Sequence, residues 1–328
     1  MLKFIVRRLV LAVFIVFFGA LVVYTVIRCL PTSFVEAMAR QLSTRPGSKS
    51  YDELRIQLNA MYGMDGTIIE GFFRWLGNFL QGKIGDSWKF NQPVVQKFNS
   101  VIWYSVVLNA VTFILQAVIC IPLGILAARK QYSKTDYTVT VIALLGISLP
   151  TFFLATILKY VFSYKLGWFD MYGIVGRMHE QMDQWHQFLD MSQHMILPVL
   201  TLVILNLGGL MRYTRTNMLE VLNADYIRTA RAKGLPENRV INSHAFRNTL
   251  IPLVSYMSYL LPSMFGGAMI TEILFQIPGI GYTSYQAITA GDIPFTMFYI
   301  VFIEILTQVS LLIADIMYAV VDPRVRIN

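Results

Sequence analysis

Residues Arg212 to Pro252 read RYTRTNMLEVLNADYIRTARAKGLPENRVINSHAFRNTLIP. In an otherwise oily chain this stretch sets Arg212, Arg215, Arg228, Arg231, Lys233, Arg239 and Arg247 against only Glu220, Asp225 and Glu237. Such a density of charge has no place in hydrocarbon. Ile227 and Ala230 recur at helical spacing after Asp225, a residue type that caps helix starts, and Gly234-Leu235-Pro236 stops the run. Glycine takes the left-handed conformation past a helix end without steric cost, and proline is tolerated in the first turn of the next helix. The expectation is a helix, a tight reversal, and a second helix from about Glu237 to Asn248. On physics alone two readings stand side by side: a solvated loop on the basic side of a membrane, or a docking surface for a soluble partner.

Working outward, the 328 residues are 55% hydrophobic and only 14% charged, with a mean hydropathy of +0.55. An ordinary soluble domain has a charged share nearer a quarter, so the class is a polytopic membrane protein. The net charge of +8 gathers beside apolar spans with no nucleic-acid motif, which points to anionic lipid and cytoplasmic placement rather than nucleic acid. Cys29 and Cys120 are not spaced as metal ligands. Arg28 occupies the place where a lipoprotein cleavage site needs a small residue, so the first apolar run reads as a retained span.

In chain order, residues 1–8 form a cytoplasmic tail with Lys3, Arg7 and Arg8, and 9–29 the first transmembrane helix. Residues 30–100 read as an extracytoplasmic helical domain of hairpin type, with amphipathic segments Tyr51 to Tyr62 and Ile68 to Leu80. The second carries Phe72, Phe73, Trp75 and Phe79, suited to internal packing, to the membrane surface, or to covering a partner's outer mouth. Residues 101–328 hold further spans at about 101–128, 137–164, 195–211, 253–275 and 295–321, with the charged loop at 212–252. The basic link Arg129 to Lys134 lies on the same side as that loop, which places both chain ends in the cytoplasm. Gly146 to Pro150 is expected to kink the third span.

Several polar residues fall inside apolar spans. Asn109, Thr112 and Gln116 share one stripe, and Glu304, Gln308 and Asp315 share another. Such stripes face protein or water, whether as interhelical hydrogen bonds or as a solute path. Glu272, near the outer end of its span, is a functional candidate expected to face a water-filled interior. His179, His186 and His194 match no metal spacing and read as solvated loop histidines. There is no phosphate-binding G-x-x-x-x-G-K-[ST] loop, no H-E-x-x-H and no G-x-S-x-G elbow. Any energy for transport must therefore arrive through another polypeptide.

The run DYIRTARAKGLPENRVINSHAFRNTLIP, Asp225 to Pro252, resembles the cytoplasmic coupling loop of ABC importer permeases, in the version carried by the oligopeptide and dipeptide (peptide/nickel) branch. Ala230, Gly234 and Pro252 fall at the matching positions. The wider motif begins Glu-Ala-Ala, where this chain has Arg228-Thr229-Ala230, and the gap from Gly234 to Pro252 exceeds that of sugar importers; both departures fit the peptide branch. The similarity extends through PGIGYTSYQAITAGDIP (Pro278 to Pro294) and the terminal DPRVR and covers roughly Val94 onward, and GKIGDSW (Gly82 to Trp88) resembles a recurring feature of the same family just before its second span.

The resemblance implies an all-α integral membrane protein of six transmembrane helices with the type I importer fold, serving as the B-type (first) membrane subunit. Implied partners are a homologous second permease, two cytoplasmic ATPase subunits that bind ATP and Mg, an extracytoplasmic peptide-binding protein and membrane lipid, with no nucleic acid. No cofactor, metal or catalytic residue is expected in this chain. The implied coupling residues are Asp225, Tyr226, Arg228, Thr229, Ala230, Arg231, Gly234 and Leu235. Asn109, Gln116, Glu272 and Gln308 are the candidates for the solute path. From a different class, a stand-alone secondary transporter or channel could relay protons through Glu272, Glu304 and Asp315.

Overall fold

The computed structural model describes residues 2–29, 34–45, 48–62 and 64–321. The terminal DPRVR, expected in the cytoplasm, lies outside the described residues. Helix α1 covers Leu2–Cys29, and α2 Phe34–Ser43, α3 Tyr51–Met61 and α4 Ile68–Leu80 follow. A short hairpin of β1 (Asp86–Ser87) and β2 (Gln92–Pro93) leads into α5 (Val94–Arg129). Next come α6 (Lys134–Ser148) and α7 (Thr151–Leu158), the latter prolonged by a π turn at Lys159–Lys165. Helix α8 spans Gln184–Leu222 and α9 Asp225–Ala232. Then α10 (Glu237–Arg239) passes through a π turn, Val240–Phe246, into α11 (Arg247–Tyr259). The chain closes with α12 (Leu261–Gly266), α13 (Met269–Phe275), α14 (Ile280–Ala290) and α15 (Ile293–Val321).

Among the described residues four segments are long and apolar enough to cross a membrane, and six if each of two bent pairs counts as one crossing. The expected third span is not a kinked helix. Lys134–Ser148 and Thr151–Lys165 meet at 103°, because Pro150 forces Leu149 into an extended conformation (φ −82°, ψ 130°) and the helix cannot pass through it. The expected fifth span is likewise broken. It bends by 42° between Pro252–Gly266 and Met269–Phe275, where Gly267 takes a φ of 73° that a side chain would resist. The fourth outruns its expected bounds at both ends, as the single helix α8.

Small residues set the packing of the centre. A methyl added at Gly124 of α5 would sit 2.7 Å from Thr214 and 2.8 Å from the Met211 carbonyl of α8, so these helices meet at backbone distance. Helix α6 lies on another face of α8 through Gly146 against the Ile204 carbonyl and Gly208 against Ile147. On the far side, α1, α4 and α15 share a core of Ala20, Tyr24, Phe72, Met297 and Val301. That core decides the role of the aromatic face: Phe72 is fully buried against Phe17 and Tyr24 with Trp75 stacked on Phe79, while Phe73 points out. Helix α2, absent from the expected elements, packs on α3 through Val35, Ala39 and Leu58.

Two buried carboxylates hold the other end. Glu272 is fully buried. Its Oε1 accepts Ser105 Oγ at 2.6 Å and the Ala268 N–H at 3.1 Å, and its Oε2 accepts the Tyr282 N–H at 2.8 Å. Gly267, Gly279 and Gly281 surround it so closely that a side chain at any of them would strike the carboxylate or its neighbours. The N-terminus of α14 faces it, a favourable place for negative charge. Asp292, also fully buried, accepts from Ser87 Oγ and from the Lys89 and Phe295 N–H groups, tying the β hairpin to the start of α15. The runs GKIGDSW and PGIGYTSYQAITAGDIP are thus the two halves of one fastening.

Replacing Glu272 with Leu strands donors from Ser105, Ala268 and Tyr282. At about 1–3 kcal/mol for each buried unsatisfied group, Glu272→Leu should lower the yield and melting temperature of the folded protein in detergent, with Glu272→Gln less severe. A normal melting temperature for the Leu variant would contradict this role.

Candidate functional site

The charged stretch forms a helical hairpin on the same end of the bundle as Arg129 and Lys130. Helix α9 turns Ile227 and Ala230 inward, onto Ala128 of α5, Met218 of α8 and Val240, Ile241 and Ala245 of the following π turn. Asp225, Tyr226, Arg228, Thr229 and Arg231 stay exposed, with Arg228 3.5 Å from Asp225. Two expectations need correction. The helix is capped by Ala224 without a side-chain bond, and Asp225 stands inside its first turn, where it complements the helix dipole instead. Pro236 likewise sits one position before α10, as its cap.

Gly234 takes a φ of 75° and donates its N–H to the Arg231 carbonyl at 2.9 Å. Open space surrounds its α-carbon, so a side chain there would strain the backbone without colliding. Across the reversal Arg231 Nη2 donates to Glu237 Oε1 at 2.9 Å, and this bond holds the Glu237 carboxyl below the usual carboxylate range. The second arm does not end near Asn248. It winds from Glu237 through Pro252 to Tyr259, since Thr249 reaches Met218 and Leu253 is buried with Leu210 and Met211. Tertiary packing overrides the proline, and the hairpin feeds directly into the broken fifth segment.

Above it, between α5, α8, α11 and α12, lies a cavity of about 330 Å³. Asn109, Thr112 and Gln116 of α5 line one wall, Leu205, Asn206 and Gly209 of α8 another, and Tyr256, Leu260, Ser263 and Met264 a third, with Ile147 of α6 at its edge. Among the described residues no charged side chain lines it. Asn109 Nδ2 donates to the Met264 carbonyl at 3.3 Å and Gln116 Nε2 to the Asn206 carbonyl at 3.0 Å, so both also bridge helices.

The structure therefore brings Asn109 and Gln116 together and separates them from the other two path candidates. Glu272, expected to face a water-filled interior, is closed in by its hydrogen bonds. Gln308 lines a different, apolar groove of about 550 Å³ between α1, α4 and α15. Of the three carboxylates of the proton-relay reading, Asp315 is 2.7 Å from Arg8 and Glu272 is held as above, whereas Glu304 lies against Gly19 with its buried Oε2 free of hydrogen bonds among the described residues. Nor are the loop histidines all solvated. The His194 side chain is 3% exposed, 3.2 Å from Asp170 and 3.5 Å from Asp190, and His179 is 2.7 Å from Asp190. Within the coupling set, Ala230 and Leu235 face the core rather than solvent. Sequence reasoning missed Ser105, Asp292 and Tyr256; of these Ser105, four residues before Asn109, continues the polar stripe of α5 and was within reach of the helical period.

An apolar helical bundle with two broken crossings, a neutral polar cavity and one exposed charged hairpin defines a membrane-embedded transport component. The profile of the family described as "Binding-protein-dependent transport system inner membrane component" matches residues 120–327. The chain is 39% identical over 272 residues to the oligopeptide transport system permease protein AppB of Bacillus subtilis (strain 168), covering 83% of this chain and 84% of that protein. It is 31% identical over 339 residues to the di/tripeptide transport system permease protein DppB of Pseudomonas aeruginosa (strain UCBPP-PA14), covering 99% of each. The chain belongs to this family of ABC importer permease subunits, inner membrane components that carry no ATPase of their own.

Gly209 offers a direct test of the cavity, because a methyl there would come 3.2 Å from the Tyr256 hydroxyl. Gly209→Leu should slow uptake roughly tenfold, the effect of about 1.4 kcal/mol added to the barrier, while the complex still assembles. Uptake at the wild-type rate would remove the cavity from the solute path.

Proposed function

We propose that this subunit imports oligopeptides or dipeptides as the B-type permease of an ATP-driven complex. Its partners are a homologous second permease, two ATPase subunits that hold ATP and Mg, and an extracytoplasmic peptide-binding protein. The relatives named for peptide transport support the cargo. The cavity chemistry agrees: Asn109, Gln116, Asn206 and Ser263 offer hydrogen bonds without fixed charge, which suits backbone amides common to every peptide. Each permease would supply half of the passage.

The observation that carries the reading is the hairpin itself. A helix whose inner face is locked into the core, and whose outer face presents Tyr226, Arg228 and Thr229, passes a push from below into α8 and α11. We place this end, with both termini, in the cytoplasm, and residues 30–100 and 166–193 outside, because Arg129, Lys130, Lys134 and the hairpin's bases share one side. Closure of the ATPases would then press on α9 and turn the cavity from one face to the other.

Two measurements test this. Single cysteines at Lys49, Asp183 and Thr289, all exposed, should react with an impermeant thiol reagent from outside, and those at Lys134 and Arg239 should not; outside labelling at Lys134 would reverse the orientation. Gly234→Val places a β-branched residue in the left-handed region at a cost of roughly 1–2 kcal/mol, tilting α9 relative to the second arm. In vesicles with all partner subunits, peptide uptake should fall steeply while hydrolysis loses its response to loaded binding protein. Full uptake with normally stimulated hydrolysis would remove the hairpin from this role.

A further inference from the structure

Helix α6 is held to the molecule along a single stripe. Its buried residues are Asp136, Ala143 and Gly146, spaced by seven and three so that they share one face, and that face lies on α8. Deep in the bundle the contact is at backbone distance: a methyl added at Gly208 of α8 would come 2.6 Å from the Ala143 carbonyl oxygen. At the basic end the contact is a two-pronged ion pair. Arg215 Nε donates to Asp136 Oδ1 at 2.7 Å and Nη2 donates to Oδ2 at 2.8 Å, with the Asp136 side chain 4% exposed. The same carboxylate accepts the Tyr132 N–H at 3.0 Å, where Tyr132 takes a φ of 60° in the turn between α5 and α6.

What lies at each end of this clamp gives it significance. One turn beyond Arg215 stands Met218, fully buried, on which Ile227 and Ala230 of α9 pack. Eleven residues along α6 from Asp136, about 17 Å at the helical rise, Ile147 reaches the cavity edge. A connected route therefore runs from α9 onto Met218, one helical turn along α8 to Arg215, across the ion pair to Asp136, and along α6 to the cavity wall. The guanidinium fork makes two parallel bonds to the carboxylate and so resists rotation as well as separation. A lysine would supply charge without that constraint.

We propose that the Asp136–Arg215 pair is the joint that makes α6 follow α8 when α9 is pushed, so that Ile147 moves with Asn206 and Gly209 as one wall. Both are positioning residues, remote from the solute. The inference rests on the coupling role assigned to α9 above, and it goes beyond it by naming how the displacement reaches the passage.

The test uses the assembled complex in vesicles with its binding protein. Three quantities are read for each variant: recovery of complex, cross-linking of Tyr226→Cys on α9 to an ATPase subunit, and peptide taken up per ATP hydrolysed. Arg215→Lys and Asp136→Asn should keep the cross-link and lower uptake per ATP by roughly fivefold or more, the low end of coupling between linked sites. Asp136→Cys with Arg215→Cys should behave likewise until bridged by a short bifunctional thiol reagent, which should restore uptake per ATP, because the joint needs only a rigid connection. If Asp136→Asn fails to assemble, Arg215→Lys and the bridged pair decide. Lower recovery of Arg215→Lys with unchanged uptake per ATP would reduce the pair to a folding staple and overturn the proposal. Loss of the residual uptake on bridging would overturn it too, by showing that α6 and α8 must part. Absence of the Tyr226→Cys cross-link in the otherwise native complex would instead sink the coupling role of α9 on which it rests.

Discussion

Hydrocarbon offers no partner to a backbone N–H or C=O, so a helix that breaks inside a membrane must find substitutes for its lost bonds within the protein. The fifth apolar segment breaks around Leu260 and again at Gly267, and polar side chains from its neighbours meet the freed groups. Tyr299 Oη donates to the Gly266 carbonyl at 2.8 Å, Asn109 to that of Met264 at 3.3 Å, and Lys159 Nζ to that of Leu274 at 2.6 Å. Glu272 takes the Ala268 and Tyr282 N–H groups, and Ser105 Oγ takes that of Ile280 at 2.8 Å. Much of the polarity buried in the half of the bundle away from the basic hairpin serves an interrupted backbone.

The same segment supplies one wall of the cavity. The short helices α11 and α12 bring Tyr256, Ser263 and Met264, with Leu260 between them, to the cavity against α5 and α8. On the opposite wall, α5, α6 and α8 are drawn to backbone distance by Gly124, Gly146 and Gly208. One wall is thus tightly packed and the other built of short helices.

The basic end shows how a polar surface is joined to an apolar bundle. Helix α9 has two buried residues, Ile227 and Ala230, and would be marginal as an isolated helix of its length. Its stability comes from the cluster on Met218 and Val240 beneath it, with Gly234 and the Arg231–Glu237 bond closing the reversal. The exposed charges then cost little and are open to a partner.

The sequence by itself determined the membrane class, the α9 hairpin and its Gly234 reversal, the amphipathic helix Ile68–Leu80, and the polar stripe of Asn109, Thr112 and Gln116. Each rests on local signals, namely hydropathy over a span, the 3.6-residue period, or a residue type that a backbone conformation demands. Only the tertiary structure decided the 103° break after Ser148, the passage of a helix through Pro252, and the roles of Glu272, Asp292 and Asp136. A carboxylate in an apolar span reads the same from sequence whether it faces water or a cradle of N–H groups. The partners that settle the matter lie far along the chain: Ser105 is 167 residues from Glu272, and Ser87 is 205 from Asp292. Periodicity carries information over a few turns of helix, whereas these bonds exist only once the spans are packed.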